Sequence, residues 1–226
     1  MMMKLLYMDL KVNCESVVVF DLDDTLYYEF DYLLSAFKEI AQEIDPSDSH
    51  LATTMASIFK NKEDVFKWLI RTYNLPEASG KSYLLAKYRH HIPKISLRPG
   101  ALDRLSEIKD IGGKLGLLTD GRSITQRNKI EQLGILTYFD LIIISEEFGS
   151  TKPALRNYEA FNYLGSCFTY IADNSAKDFI APNILGWNSI CIEGEDRALY
   201  KSSEEIPSEL RPLNTIKEFT ELNIIK

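Results

Sequence analysis

The stretch Asp21-Leu22-Asp23-Asp24-Thr25 is the most chemically loaded segment of the sequence. It follows Val17-Val18-Val19-Phe20, a continuous apolar run of the kind that forms a strand buried on both faces. Residues two apart in an extended segment point the same way, so Asp21 and Asp23 should face one crevice beyond the end of that strand. Carboxylates this close repel unless a cation sits between them or one of them holds a proton. A hard divalent ion such as Mg²⁺ meets the first condition, because it takes oxygen ligands and leaves room for water and a phosphate group.

Three later stretches carry groups that phosphoryl transfer would need. Leu118-Thr119-Asp120-Gly121 ends a second apolar run and precedes a helical pattern, so the Thr119 hydroxyl and the backbone N–H groups around Asp120 can hold phosphate oxygens at a helix N-terminus. Lys152, in Ser150-Thr151-Lys152-Pro153, offers a positive charge after a third run. Asp173 and Asp178, in Ala172-Asp173-Asn174-Ser175-Ala176-Lys177-Asp178, follow a fourth and could complete a metal shell. Singly, each has an ordinary explanation: a solvated turn, a helix cap, a surface lysine. Jointly, they fall after successive strands of one pattern.

The elements that must position them are apolar runs at Val17–Phe20, Leu115–Leu118, Leu141–Ile144, Phe168–Ile171 and Ser189–Ile192, which predict buried strands. Helical spacing lies between them: Leu102, Leu105 and Ile108; Ile124, Ile130 and Leu133; Leu155, Tyr158, Phe161 and Leu164. This alternation predicts an α/β fold with a Rossmann-like parallel sheet covered on both faces, its ligands bound beyond the carboxyl ends of the strands. It fails between Tyr27 and Leu97, where helical patterns at Phe30–Ile44, Ile58–Tyr73 and Ser82–His91 predict an inserted, all-helical cap. Leu97-Arg98-Pro99-Gly100 is its expected exit, so the core comprises residues 1–26 and 97–226 and the cap 27–96. Near the C-terminus, Leu213 to Phe219 suggests a final docked helix.

With 226 residues and 45% apolar composition, the chain can bury a substantial core. Its net charge of -7 and the lack of a Lys/Arg stripe argue against nucleic acid, yet a metal ion and a few local donors can reverse the sign inside a cleft. Cys14, Cys167 and Cys191 are an odd number without metal-ligand spacing, and two of them read as core residues. No uncharged run is long enough to span a bilayer, and the first apolar stretch is too short for a signal peptide. A cytoplasmic location is therefore expected.

These motifs resemble the haloacid dehalogenase superfamily, in its phosphatase branch with a helical cap in the position called C1. The likeness runs from about Val17 to Ile192 and includes the four family motifs in order. It implies that Asp21 is a nucleophile forming an aspartyl-phosphate, and that Asp23 protonates the leaving oxygen and then activates water. It also implies phosphate binding by Thr119 and Lys152, and Mg²⁺ held by Asp21, the Asp23 backbone carbonyl and Asp173, with Thr25 and Asp178 in support. Dehalogenases of the superfamily lack the second aspartate, so Asp23 favours a phosphatase. Related phosphomutases usually carry glycine where this chain has Asp24, which favours hydrolysis. A receiver-like phosphoacceptor module is the alternative from another class, but it has no cap insertion and places its phosphoacceptor after the third strand. Two departures from the pattern are Ala172, where many relatives have glycine, and Pro182, which predicts a short or kinked helix.

The implied substrate is a small phosphorylated metabolite, a sugar phosphate or a nucleotide. Tyr27, Tyr28 and Glu29 are candidates to line the entrance between cap and core, and Arg122 to reach substrate from the second loop, against the plain alternative of packing. His50, His90 and His91 receive no catalytic role, with His90 and His91 read as part of a helix face.

Overall fold

A computed structural model describes residues 7–175, 177–193, 207 and 211–226. The described residues begin with a short strand, β1 (Met8–Lys11), and then β2 (Ser16–Phe20), which is buried at every position. Four helices follow: α1 (Glu29–Ile44), α2 (Leu51–Lys60), α3 (Val65–Thr72) and α4 (Glu77–His90). The alternating part then runs α5 (Ala101–Ile111), β3 (Lys114–Thr119), α6 (Ser123–Gln132), β4 (Leu141–Ile144), α7 (Ser145–Phe148), α8 (Leu155–Glu159), β5 (Cys167–Ala172), α9 (Ile180–Ile184) and β6 (Asn188–Ile192). Two strands close the chain, β7 (Asn214–Ile216) and β8 (Leu222–Ile225).

Among the described residues, the main sheet has six parallel strands in the order β4-β3-β2-β5-β6-β7. Its pleat sorts the apolar runs onto two faces, as a period of two requires. Val18, Phe20, Leu115, Leu117, Ile171 and Ile190 pack in one layer, and Val17, Val19, Leu118, Tyr170, Ala172 and Cys191 in the other. Gly116 sits within β3 because the Phe161 ring and Val19 occupy the space where a Cβ would lie. Connections leave β2 toward β3 on one side and return to β5 on the other. That reversal is where open α/β sheets form ligand crevices.

The helical insertion between β2 and α5 has its own apolar centre of Leu33, Phe37, Ile40, Leu51, Met55, Leu69 and Leu84. Its entering and leaving strands run side by side, with Tyr27 bridged to Leu97 and the Arg98 N–H donating to the Leu26 carbonyl at 2.8 Å. The buried Arg98 guanidinium then donates to the carbonyls of Asp24 (2.9 Å), Glu193 (3.1 Å) and Lys217 (2.8 Å). One side chain thus ties the Asp21–Thr25 loop to the ends of β6 and β7.

Several sequence expectations need correction. Leu213–Phe219 is not a helix: Asn214–Ile216 is β7, Phe219–Glu221 is a 3₁₀ turn, and β8 pairs with β1 in a separate two-stranded sheet. The buried residues Ile216, Phe219 and Leu222 are three apart, which mimics helical spacing in a segment that turns between two strands. The Leu155–Leu164 pattern forms only α8 and then i+3 turns, with the Phe161 and Leu164 N–H groups donating to the Tyr158 and Phe161 carbonyls. Ile58–Tyr73 is divided after Lys60, where Lys62 adopts φ 61° and Asp64 caps α3 by accepting from the Lys67 N–H at 3.0 Å. The helix expected over Ser82–His91 starts earlier, at Glu77 directly after Pro76, and ends at His90. His91 is not on a helix face; it follows α4, is buried, and its Nδ1 lies 2.9 Å from the Tyr88 carbonyl. Leu102, Ile124 and Leu155, used to set helical periods, are exposed. Of the cysteines, only Cys191 is buried, and all three are free. The helix holding Pro182 has five residues, as its proline predicts.

Among the described residues no helix is long and apolar enough to cross a membrane. Replacing Arg98 by Met would strand three backbone carbonyls. The expected cost is about 3 kcal/mol or more, measured as a lower urea midpoint at unchanged m-value.

Candidate active site

The strand ends converge as the topology requires. Asp21 follows β2 directly, its N–H donating to the Ile171 carbonyl of β5 at 2.9 Å. Thr119 ends β3, Lys152 lies between α7 and α8, and Asp173 follows β5. Asp21, Asp23, Thr119, Asp120, Lys152, Asp173 and Asp178 line one cavity of about 170 Å³, together with Asp24, Glu29, Asn174 and Lys177.

Lys152 is the electrostatic centre. Its Nζ is buried and lies 2.9 Å from Asp21 Oδ1 and 2.9 Å from Asp178 Oδ1, and it donates to the Tyr170 hydroxyl at 3.3 Å. Burial opposes its charge, but the two carboxylates outweigh that and hold the ammonium well above its ordinary pKa. Asp21, Asp173 and Asp178 each bring a carboxylate oxygen within 4.8 Å of the others. Burial, with Asp21, Asp178 and Asp24 nearby, pushes Asp173 up to about 9. Burial also dominates at Asp21, where Lys152 opposes it and Asp178 and Asp23 reinforce it, giving about 7. An all-oxygen cluster in which burial and neighbouring carboxylates raise Asp21 and Asp173 fits a hard divalent cation, whose charge would relieve that repulsion. Thr25 supports the cluster by donating from Oγ1 to Asp173 Oδ1 at 3.2 Å.

Asp23 is held differently. Lys129 Nζ lies 2.6 Å from its Oδ1, Gln126 Nε2 donates to its Oδ2 at 2.8 Å, and the Tyr27 hydroxyl donates to it as well. Burial would raise Asp23, but Lys129 and these hydrogen bonds prevail and lower it. Two carboxylates of one loop are thereby pushed in opposite directions. Gln126 also donates to Thr119 Oγ1 at 2.6 Å, so α6 fixes both groups at once.

Lys129 and Gln126 were missed by sequence reasoning. Their signal lies in the α6 pattern itself: Gln126, Lys129, Ile130 and Leu133 occupy positions i, i+3, i+4 and i+7, the spacing of a buried face. Polar residues on such a face need buried partners, and here Asp23 and Thr119 supply them.

The entrance candidates divide. Glu29 lines the cavity. Tyr27 is buried behind it and acts on Asp23, while Tyr28 is buried under the Arg98 guanidinium, 4.8 Å from its ring centroid. Arg122 does not reach the cavity: it is exposed and pairs with Glu146 at 2.6 Å. The Asp120 carboxylate accepts the Lys152 backbone N–H at 3.1 Å and lies 3.2 Å from Lys177 Nζ, positioning the lysine loop from the cavity wall.

A sequence model described as haloacid dehalogenase-like hydrolase matches residues 18–191, the span from β2 into β6. The chain belongs to the haloacid dehalogenase-like hydrolase family. Among its relatives, glyceraldehyde 3-phosphate phosphatase of Methanocaldococcus jannaschii is 28% identical over 228 residues, covering 91% of this chain and 95% of its own. Ribulose-1,5-bisphosphate 5-phosphatase of Halopiger xanaduensis is 23% identical over 92% of this chain and 98% of its own. Among solved structures, YfnB of Bacillus subtilis, in a form bound to magnesium, aligns with a TM-score of 0.64 at 20% identity, over 92% of this chain and 97% of that one. For this haloacid dehalogenase-like hydrolase, that structural likeness supports the fold.

Removing the buried cation should be costly in a way that removing an exposed one is not. Lys152→Met is expected to destabilise the fold by about 3–5 kcal/mol at neutral pH, because it leaves buried carboxylates uncompensated. Lys177→Met breaks a partly exposed pair and should cost about 1 kcal/mol or less. Urea titration of both variants checks the contrast.

Proposed function

We propose that this chain is a phosphoric monoester hydrolase acting on a small phosphorylated metabolite, a sugar phosphate or a nucleotide. Residues 27–96 would be its cap and residues 1–26 and 97–226 its catalytic core. The observation that carries this reading is the pair Asp21 and Asp23 in one cavity, the first beside a buried ammonium and the second beside a proton-bearing network. The names of the phosphatases to which the chain is similar support the same reaction class.

The Asp21 carboxylate attacks phosphorus and forms an aspartyl-phosphate, which divides a difficult hydrolysis into two displacements. Lys152, the Thr119 hydroxyl and the backbone N–H groups around Asp120 neutralise and hold the phosphoryl oxygens. Lys129 and its hydrogen bonds favour Asp23 as a carboxylate, so it takes up a proton from solvent as the anionic phosphate enters beside it and gives that proton to the departing alcohol oxygen. As a carboxylate it then takes a proton from the water that attacks the phosphoenzyme, since water arrives where the alcohol left. Asp21 and Asp173, with the Asp23 backbone carbonyl, would hold Mg²⁺, and Thr25 and Asp178 would support them. When bound, that ion supplies positive charge to the phosphoryl oxygens and offsets repulsion between phosphate and carboxylates. Free cysteines are consistent with action in a reducing cytoplasm.

Phosphate release from sugar phosphates and nucleotides, with Mg²⁺ or with chelator, tests the proposal. Wild type should turn over at least one such ester only with the metal, and Asp21→Asn should fall to background. Asp23→Asn should lose about 10²- to 10⁴-fold in kcat while keeping its Mg²⁺ affinity, whereas Asp173→Asn should lose affinity by more than about tenfold. Loss of Mg²⁺ binding in Asp23→Asn, with retention in Asp173→Asn, would reverse the assignment of ligands.

A further inference from the structure

We infer that Glu29 selects phosphate esters of uncharged, hydroxyl-bearing alcohols and rejects esters whose alcohol carries a carboxylate near the ester carbon. This inference rests on the hydrolase reading and narrows it to a class of substrate.

Glu29 is the first residue of α1, and its N–H donates to Asp24 Oδ1 at 2.8 Å. Asp24 can offer that oxygen because it adopts φ 51°, a left-handed conformation that aspartate tolerates better than most residues. The start of the first insertion helix is therefore pinned to the nucleophile loop. Glu29 is half-buried, lines the cavity, and its carboxyl has no hydrogen-bond or ion-pair partner among the described residues.

The nearby cations are already engaged. Lys152 lies between Asp21 and Asp178, Lys129 is on Asp23, and Lys177 is on Asp120. Among the described residues, seven carboxylates line the cavity against two lysines, with Lys129 placed behind Asp23. A substrate phosphate has Lys152 and the oxygen-bound cation to meet it. An anionic group on the alcohol would instead meet Glu29 with no free ammonium beside it among the described residues. The surroundings already disfavour further negative charge at that position, because Asp21, Asp23 and Asp24 line the same cavity. A substrate carboxylate would face the same field. A hydroxyl group, in contrast, can donate to the Glu29 oxygen and give it the partner it lacks.

Esters matched in size and differing in charge test this. With the Mg²⁺-loaded full chain, kcat/KM should be at least about tenfold higher for 2-hydroxyethyl phosphate than for phosphoglycolate, and for glycerol 3-phosphate than for 3-phosphoglycerate. Glu29→Gln should lower the value for each neutral ester, raise it for each carboxylate ester, and so collapse both ratios. Equal or inverted ratios in the wild type would overturn the inference, as would ratios unchanged in Glu29→Gln. Absence of Asp21-dependent phosphate release from every ester, including p-nitrophenyl phosphate, would overturn the hydrolase reading and this inference with it.

Discussion

The site depends on one buried ammonium. Lys152 is shared between Asp21 and Asp178, and without it the sheet would gather acidic side chains into a space that could not hold them ionised. A buried lysine beside a single carboxylate would be a local pair. Set between two, it offsets part of the charge of both, while the remaining repulsion still raises Asp21 and Asp173. The same arrangement that makes the cluster tolerable therefore makes it receptive to a divalent cation.

Everything around Lys152 serves to bring it to that position. The strands end together because β2 is paired with β3 on one side and β5 on the other, and the chain changes direction there. Asp120 holds the lysine loop from the end of β3, while Arg98 clamps the Asp24 carbonyl to the ends of β6 and β7. The helical insertion departs from this fixed rim. Glu29, the first residue of α1, is bonded to Asp24 of the Asp21–Thr25 loop, and Lys129 of α6 lies 4.4 Å from the ring centroid of Tyr32 in α1. The helical layer and the Asp23 side of the cavity are thus in direct physical contact.

The strands were legible because each is an uninterrupted apolar run ending in a polar residue, and β3, for instance, runs to Thr119. The insertion was legible for the converse reason: Phe30 to Ile44 keeps helical spacing for the full length of α1. The C-terminal strands were not, since buried residues three apart occur both on a helix and across a strand, a turn and a second strand. Within the site, the motif residues Asp21, Asp23, Thr119, Lys152, Asp173 and Asp178 come together as their positions after successive strands suggest. Lys129 and Gln126 escaped notice because a polar residue on a helix reads as solvated until a buried partner from another part of the chain is known. Arg122 shows the opposite error, a loop cation near the right strand whose charge is spent on Glu146 at the surface.

The central claim is that Asp21 itself becomes phosphorylated. Acid quenching of the Mg²⁺-loaded chain during turnover, followed by proteolysis and mass spectrometry, tests it most directly. The peptide containing Asp21 should gain the mass of one phosphoryl group, and borohydride should convert that residue to homoserine. A chain that releases phosphate steadily while this peptide stays unmodified, with the label on another residue, would contradict the account.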